Sequence, residues 1–219
     1  MWLYVIVDAA VCGDPNSGID GAAGRGVVET ARQAALAGVD AIQYRDLTAD
    51  DEDYLATAQL IAGALADTET TFLIAERPHL FEESLADGLH IGEVYRDVAQ
   101  ARKLVGPDAL LGASGFNLSE LEAELGADFD LDYVSVGPVW PTTSKTDAGS
   151  AIGVERSIDA AAESAWPAML VGGIKANNLG EIISAGADAA GVAGVVLLGE
   201  ICRADDVTAT VAALKAVLG

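Results

Sequence analysis

The sequence predicts an α/β protein that folds as a (β/α)8 TIM barrel, in a single domain over residues 1–219. Eight short apolar segments recur along the chain, and segments with apolar residues at helical spacing separate them, with about 27 residues per unit. An open doubly wound sheet would show the same alternation. The count of eight and the absence of an internal linker favour the closed barrel.

The predicted strands are unbroken apolar runs, which are typical of a parallel sheet that helices cover. They span residues 2–7, 39–45, 71–75, 88–92, 109–114, 132–137, 168–173 and 189–194.

The predicted helices follow these strands in turn. They span residues 26–38, 52–67, 78–86, 96–104, 117–126, 154–164, 176–185 and 205–218. The segment 117–126 begins with an asparagine and ends with a glycine, which are typical capping residues. The stretch 9–26 breaks the rhythm as a glycine-rich loop after the first strand, and it is either a mobile lid or a solvated insertion.

The charge balance argues against some classes of partner. The chain has 34 acidic and 12 basic residues, which gives a net charge of −22. Nucleic acids and anionic membranes both attract basic surfaces, so we expect neither as a partner. Lysine is scarce among the basic residues, which favours a halophilic protein kept soluble in high salt over an ordinary acidic cytosolic protein.

Short apolar runs and isolated cysteines indicate a cytoplasmic protein. The N-terminal apolar run stops at Asp8 and lacks a basic start, so it is too short for a signal peptide. The run 189–199 is shorter than a membrane span. Cys12 and Cys202 are far apart in the sequence and form no disulfide or metal-binding pattern. A homo-oligomer is compatible with these features.

Candidate functional residues gather at the predicted C-terminal ends of the strands, where barrel enzymes place their active sites. They are Gln43, Arg45 and Asp46 (strand 2), Glu76 and Arg77 (strand 3), His90 and Glu93 (strand 4), Ser114 (strand 5), the loop 137–149 (strand 6), Gly172 and Gly173 (strand 7), and Ala193 and Gly194 (strand 8).

Two glycine-containing turns, at the predicted ends of strands 7 and 8, predict a phosphate site. Glycine lets backbone N–H groups approach an anion closely, and a following helix adds a favourable dipole. In the loop 137–149, the hydroxyls of Thr142, Thr143 and Ser144 precede Lys145, a scarce cation. The alternative is a solvated turn with a surface lysine.

Charged residues near strand ends suggest further roles. Gln43 and Arg45 alternate along one strand and so face the same side. A buried arginine needs an anionic partner, either a substrate oxyanion or an internal carboxylate. Glu76 is a candidate metal ligand or general base, and an ion pair with Arg77 is the alternative. A histidine inside a strand, such as His90, is more often a core residue than a catalyst.

Several segments together resemble a known family. They are YVIVD, AIQYRD, GLHIG, GASGFNLSEL, YVSVGPVWPTTSKTDAG, VGGI and GADAAGVAGVV. Their order and spacing resemble those of thiamine phosphate synthases over nearly the whole chain, and the Gly-Pro-x-x-Pro-Thr-x-Ser-Lys segment is the most specific part. The related thiazole tautomerases have a histidine where this chain has Pro138, which argues against that activity.

The resemblance implies a transferase that joins a hydroxymethylpyrimidine diphosphate to a thiazole phosphate and releases pyrophosphate. It implies that the thiazole phosphate is held by Thr142, Ser144, Gly173, Ala193 and Gly194, with Thr143 as a further substrate-binding residue. It implies that the pyrimidine and its diphosphate are held by Gln43, Arg45, Ser114 and Lys145, the last three as catalytic residues. It also implies Mg²⁺ bridging the diphosphate, with Glu76 as one ligand and Glu93 or Asp97 as the second.

The chain departs from the family pattern in the half that would hold the pyrimidine diphosphate. Leu47 stands where the family has a lysine, so one cation is lost. Ala75 and Glu76 replace an Asn-Asp pair, and Tyr95 replaces an aspartate that binds metal.

These departures leave several functions open. One is a working synthase with a rearranged metal site. Another is a paralogue that binds a thiazole phosphate or similar small phosphate without coupling chemistry, as a tautomerase-like enzyme, a carrier or a regulator. An unrelated phosphate-binding barrel is the third.

Overall fold

The computed structural model describes residues 1–14, 21–92, 94, 96–114, 130–144 and 149–219. Eight parallel strands pair in chain order and the last closes on the first, so these residues form a closed barrel and the predicted fold class is confirmed. The strands are β1 (Trp2–Asp8), β2 (Ala41–Arg45), β3 (Thr71–Ala75), β4 (Gly88–Ile91), β5 (Leu110–Ser114), β6 (Tyr133–Val136), β7 (Ala168–Val171) and β8 (Gly194–Leu197).

The position of β8 differs from the prediction. The sequence predicts a strand that ends at Gly194, whereas the observed strand begins there and pairs Gly194 with Trp2 of β1. The preceding residues form a turn instead, in which the Ala190 N–H donates to the Gly186 carbonyl oxygen at 3.0 Å. The physical reason is side-chain shape, because alanine and glycine have no branched side chains that favour a strand, whereas the valines that follow them do.

Helices pack around the barrel. They are α1 (Ala22–Leu36), α2 (Asp51–Leu65), α3 (Phe81–Ser84), α4 (Val98–Val105), α5 (Val154–Glu163), α6 (Leu179–Ser184), α7 (Gly199–Cys202) and α8 (Val207–Leu218). All but α7 match predicted helices, with differences at their ends. The predicted helix 117–126 lies outside the described residues. Within the described ranges, no helix is both long and apolar enough to cross a lipid bilayer.

The helix layer fixes the ends of β2 and β3 through Tyr54 of α2. Its ring stacks on Tyr44, with ring centroids 4.6 Å apart. Its hydroxyl accepts a hydrogen bond from the Ala75 N–H at 3.0 Å and lies 3.1 Å from the Tyr44 carbonyl oxygen. The Arg77 guanidinium lies 4.4 Å from the centre of the same ring. These contacts hold two strand ends that carry candidate site residues.

The alternation of side chains along β5 determines which of them point into the barrel interior. Successive side chains of a strand point to opposite sides, so Gly112 and Ser114 face inward while Leu111 and Ala113 face the helices. Gly112 leaves room for a large neighbour, because a Cβ at this position would lie 2.0 Å from Cζ of Tyr133. The missing side chain on β5 therefore allows the Tyr133 ring of β6 to occupy the barrel interior.

Candidate active site

A cavity of about 710 Å³ opens at the C-terminal ends of the strands. Inward-facing residues of the barrel form its floor, and the segments that follow β6, β7 and β8 form its rim. Active sites of (β/α)8 barrels lie at this end. The cavity is therefore the candidate active site.

Six polar side chains inside the barrel form a continuous hydrogen-bonded series, which we call the polar chain. Its members are Gln43, Tyr4, Tyr133, His90, Ser114 and Ser135. At one end, the Tyr4 hydroxyl donates to Gln43 Oε1 at 2.7 Å. The hydroxyl oxygens of Tyr4 and Tyr133 are 3.0 Å apart, and Tyr133 Oη lies 2.9 Å from His90 Nδ1.

The polar chain continues to the cavity surface. His90 Nε2 lies 2.9 Å from Ser114 Oγ, and Ser135 Oγ donates to Ser114 Oγ at 3.3 Å. His90 is buried inside the barrel, as the sequence predicts. It also lines the cavity and contacts a predicted site residue, so it belongs to the candidate site.

Burial keeps the two tyrosines of the polar chain protonated. It raises the pKa of Tyr4 well above its usual value, and the Tyr133 hydroxyl beside it raises that pKa further. Burial also raises the pKa of Tyr133. At neutral pH both groups are therefore neutral hydroxyls that transmit hydrogen bonds.

Arg45 has an internal carboxylate as partner. It forms an ion pair with Asp8, which is 2% exposed at the end of β1. Asp8 Oδ1 also accepts from the Ala10 N–H at 2.9 Å, so the carboxylate is held by two contacts. Of the two partners that the sequence leaves open, the structure contains the internal one, and the pair lies where the strands meet the candidate site.

The rim after β6 and β7 brings the predicted phosphate-binding groups together. Thr142, Thr143, Ser144 and Gly173 all line the cavity. The Ser144 N–H donates to Thr142 Oγ1 at 3.2 Å. Gly173 has a φ of 67°, and a Cβ there would lie 2.7 Å from Cβ of Trp140, so this turn requires glycine.

The predicted contribution of Ala193 and Gly194 to this rim is wrong. Because β8 begins at Gly194, both residues lie at the opposite end of the barrel. Ala193 lines a smaller apolar cavity of about 210 Å³ there. At the true C-terminal end of β8, Leu198 and Gly199 line the large cavity instead.

A cation that is not among the predicted site residues lies at the same rim. Arg203 follows α7, and its Nη1 donates to Ser144 Oγ at 3.2 Å. Gly199 provides the space, since a Cβ there would lie 2.3 Å from this nitrogen. A predicted strand 8 that ended at Leu197 and not at Gly194 would have placed Arg203 near the rim from the sequence as well.

Two of the three predicted metal ligands, Glu76 and Asp97, lie among the residues that the structure describes. Glu76 follows β3 with a φ of 65°, a left-handed conformation that is uncommon for residues other than glycine and occurs often at functional sites. The Asp97 carboxylate caps α4 by accepting from the Gln100 N–H at 2.9 Å. Glu93 and the predicted catalytic Lys145 lie outside the described residues. Among the described residues, no group of three His, Cys, Asp or Glu is placed to hold a metal ion.

This arrangement fits magnesium bound partly by substrate. Mg²⁺ in enzymes that act on phosphates is commonly held by one or two carboxylates, with substrate phosphates and water completing the coordination. Such a site does not need three protein ligands, and the predicted ligand Glu76 directly follows β3, at the C-terminal end of that strand.

The family model and two curated relatives that this chain matches belong to the same family. Residues 3–198 match the family model described as thiamine monophosphate synthase. The thiamine-phosphate synthase of Azorhizobium caulinodans is 34% identical over 195 residues, which cover 89% of this chain and 88% of that protein. The thiamine-phosphate synthase of Moorella thermoacetica is 34% identical over 219 residues, which cover 99% of this chain and 95% of that protein.

Solved structures share the fold of this chain. The thiamine phosphate pyrophosphorylase from Pyrococcus furiosus superposes with a TM-score of 0.77 at 25% identity, covering 99% of this chain and 95% of the other. A 3-hexulose-6-phosphate synthase superposes with a TM-score of 0.67 at 15% identity, a likeness of fold alone.

Proposed function

Because the chain belongs to the thiamine monophosphate synthase family, we propose that it couples a hydroxymethylpyrimidine diphosphate to a thiazole phosphate and releases pyrophosphate. The observation that carries this proposal is the composition of the large cavity. Its floor presents the amide of Gln43 and the hydroxyl of Ser114, and its rim presents hydroxyls and a glycine turn. One cavity thus offers a site for a heterocycle beside a site for a phosphate.

The rim is the proposed site of the thiazole phosphate. Thr142, Thr143 and Ser144 supply hydroxyl donors, and the turn at Gly173 supplies backbone N–H groups that a side chain would block. The turn after β8, at Leu198 and Gly199, takes the place that the sequence analysis gives to Ala193 and Gly194.

The pyrimidine diphosphate is proposed to lie over the floor. Gln43 and Ser114 contact the ring, while Arg45 and Lys145 contact the diphosphate and stabilise the charge that develops on it as it leaves. The pyrimidine amino group donates electrons to the ring, so the bond to the diphosphate breaks first and the thiazole nitrogen then attacks the cation. The protein's part is to position the two substrates and exclude water.

Glu76 is the proposed protein ligand of Mg²⁺, and Glu93 is a further candidate. The ion would neutralise the negative charge of the diphosphate. The Asp97 carboxylate caps α4, which makes Asp97 a weaker candidate than Glu93 for the second ligand.

A coupling assay tests the proposal. Purified protein, both substrates and Mg²⁺ in high-salt buffer are expected to yield thiamine phosphate, and EDTA is expected to abolish the product. Binding of thiazole phosphate without any product would contradict the synthase and support a paralogue that only binds the phosphate.

Lys145→Ala is the first variant to assay. Because it removes a cation from the leaving group, we expect kcat to fall at least roughly 100-fold, as for other groups that stabilise a transition state. Lys103→Ala is the matched control, since Lys103 is an exposed lysine on α4. Unchanged turnover by Lys145→Ala would contradict the catalytic role of Lys145.

A further inference from the structure

We infer that each hydrogen bond of the polar chain has a fixed donor and a fixed acceptor. As a result, Gln43 presents a hydrogen-bond donor to the cavity and Ser114 presents an acceptor. This pair selects an aminopyrimidine. Tyr4, Tyr133 and His90 are then positioning residues that act through these two. The inference rests on the proposed function and deepens it by naming what the floor of the site recognises.

Gln43 is 3% exposed and lines the cavity. Its Oε1 accepts from Tyr4. Within the described part of the chain no hydrogen bond uses its Nε2, yet every fully buried side-chain nitrogen or oxygen there has a partner. The Nε2 group is therefore reached from the cavity. It carries two protons, so Gln43 offers a donor to a bound ring.

The direction follows because each hydroxyl has one proton. Tyr4 gives its proton to Gln43, so the 3.0 Å contact with Tyr133 requires Tyr133 to donate to Tyr4. The proton of Tyr133 is then used, so the 2.9 Å contact with His90 requires His90 Nδ1–H to donate to Tyr133. The imidazole of His90 thus carries a proton on Nδ1.

The other end of the polar chain agrees with this direction. Ser135 donates to Ser114, so the proton of Ser114 is free for His90 Nε2 at 2.9 Å. A neutral imidazole with its proton on Nδ1 has an acceptor at Nε2. Ser114 therefore gives its proton to His90 and presents a lone pair to the cavity.

The resulting pattern matches one edge of an aminopyrimidine. A ring nitrogen accepts from Gln43 Nε2, and the neighbouring amino group donates to Ser114 Oγ. An oxopyrimidine reverses both groups, since it presents a ring N–H and a carbonyl oxygen. A buried polar group without a matching partner lowers binding affinity strongly. The direction of the hydrogen bonds in the polar chain therefore favours the aminopyrimidine over the oxopyrimidine.

Nitrogen NMR of the histidine rings tests the direction. The chain has only two histidines, and the other, His79, is exposed and lies 2.8 Å from Asp51, so His79→Gln assigns the signals. We expect His90 to be protonated on Nδ1 and unprotonated on Nε2. A proton on Nε2, alone or together with one on Nδ1, would overturn the inference.

Tyr133→Phe tests whether the polar chain imposes this state. It removes the acceptor of Nδ1–H and keeps the ring that fills the space beside Gly112, so a mixture of His90 tautomers is expected. Tyr44→Phe is the matched control. Tyr44 is a buried tyrosine that follows Gln43 in the sequence, and its side chain faces the helix layer. If Tyr133→Phe does not fold, Tyr4→Phe independently removes another hydroxyl of the polar chain. A His90 tautomer that neither substitution changes would overturn the inference.

Calorimetry with unreactive probes tests the specificity. The probes are the monophosphate of the aminopyrimidine alcohol and its oxo analogue. We expect the wild-type protein to prefer the amino probe, and Tyr133→Phe to reduce the preference roughly 10-fold, as expected for losing one or two oriented hydrogen bonds. An unchanged preference would overturn the inference. A protein with the expected tautomer and preference but no coupling activity would overturn only the proposed function.

Discussion

Arg203 is an exposed arginine whose surroundings indicate a role in binding phosphate. Its Nη1 donates to Ser144 Oγ at 3.2 Å, and Gly199 leaves space for it. A charge-assisted contact of this type is worth about 1.5–3 kcal/mol, so we expect Arg203→Ala to raise the KM for thiazole phosphate roughly 10-fold. The KM for the pyrimidine diphosphate is expected to stay near the wild-type value. Steady-state kinetics with each substrate varied in turn measures both.

Arg32→Ala is the matched control for this prediction. Arg32 is an exposed arginine of α1 that pairs with Glu29 at 2.7 Å and does not line the cavity. The dephosphorylated thiazole alcohol is the second control, because its affinity is expected to be the same with and without Arg203. An equal loss of affinity for the alcohol and the phosphate would show that Arg203 supports the fold of the rim and does not bind phosphate.

At the scale of elements, the packing of β5 against β6 depends on Gly112. A Cβ there would lie 2.0 Å from Tyr133 Cζ and 2.5 Å from its hydroxyl oxygen, so Gly112→Ala must displace a ring that is buried in the barrel. Overpacking of this kind costs about 1–3 kcal/mol, and we expect the free energy of unfolding in urea to fall by that amount. Gly63→Ala is the control, since no atom lies within 4 Å of a Cβ there and alanine favours the helix α2. Equal stability of the two variants would contradict the prediction.

The same elements explain what the sequence can predict. Gln43 and Ser114 are predictable because each ends a clear apolar strand, and barrel topology brings all such ends to one face. The link between them through Tyr133 and His90 is not predictable, because β4 and β6 are not neighbours in the sheet and their contact depends on the stagger of the closed barrel. The error at Gly194 has a local cause, since its alanine- and glycine-rich surroundings carry a weak strand signal.

At the scale of the whole molecule, the net charge of −22 predicts a response to salt. Like charges spread over a small surface repel one another, and this repulsion destabilises the compact state. Salt screens it over a Debye length of about 10 Å at 0.1 M and about 3 Å at 1 M. We therefore expect the thermal midpoint to rise between 0.1 M and 1 M KCl, measured by circular dichroism. A midpoint that falls over this range would contradict the prediction and argue against a halophilic protein.

The barrel also brings the two cysteines together, although 190 positions separate them in the sequence and the sequence analysis predicts no pairing. Cys12 follows β1 and Cys202 ends α7, and their sulfur atoms are 2.6 Å apart in the core. The hydrogen bond with Cys202 lowers the pKa of Cys12 below its usual value, so the Cys12 thiolate is expected to attack diamide at a lower pH than an ordinary thiol does.

Cys202 then displaces the hydrazine and closes a disulfide between the first and last units of the barrel. Closing so long a loop is expected to add up to about 5 kcal/mol to the free energy of unfolding. Thiol titration after diamide treatment is expected to fall from two thiols to none, with a higher urea midpoint under non-reducing conditions. Cys202→Ser is the control, which is expected to form no cross-link within the chain. Two titratable thiols after treatment in urea-free buffer at pH 8 would contradict the prediction.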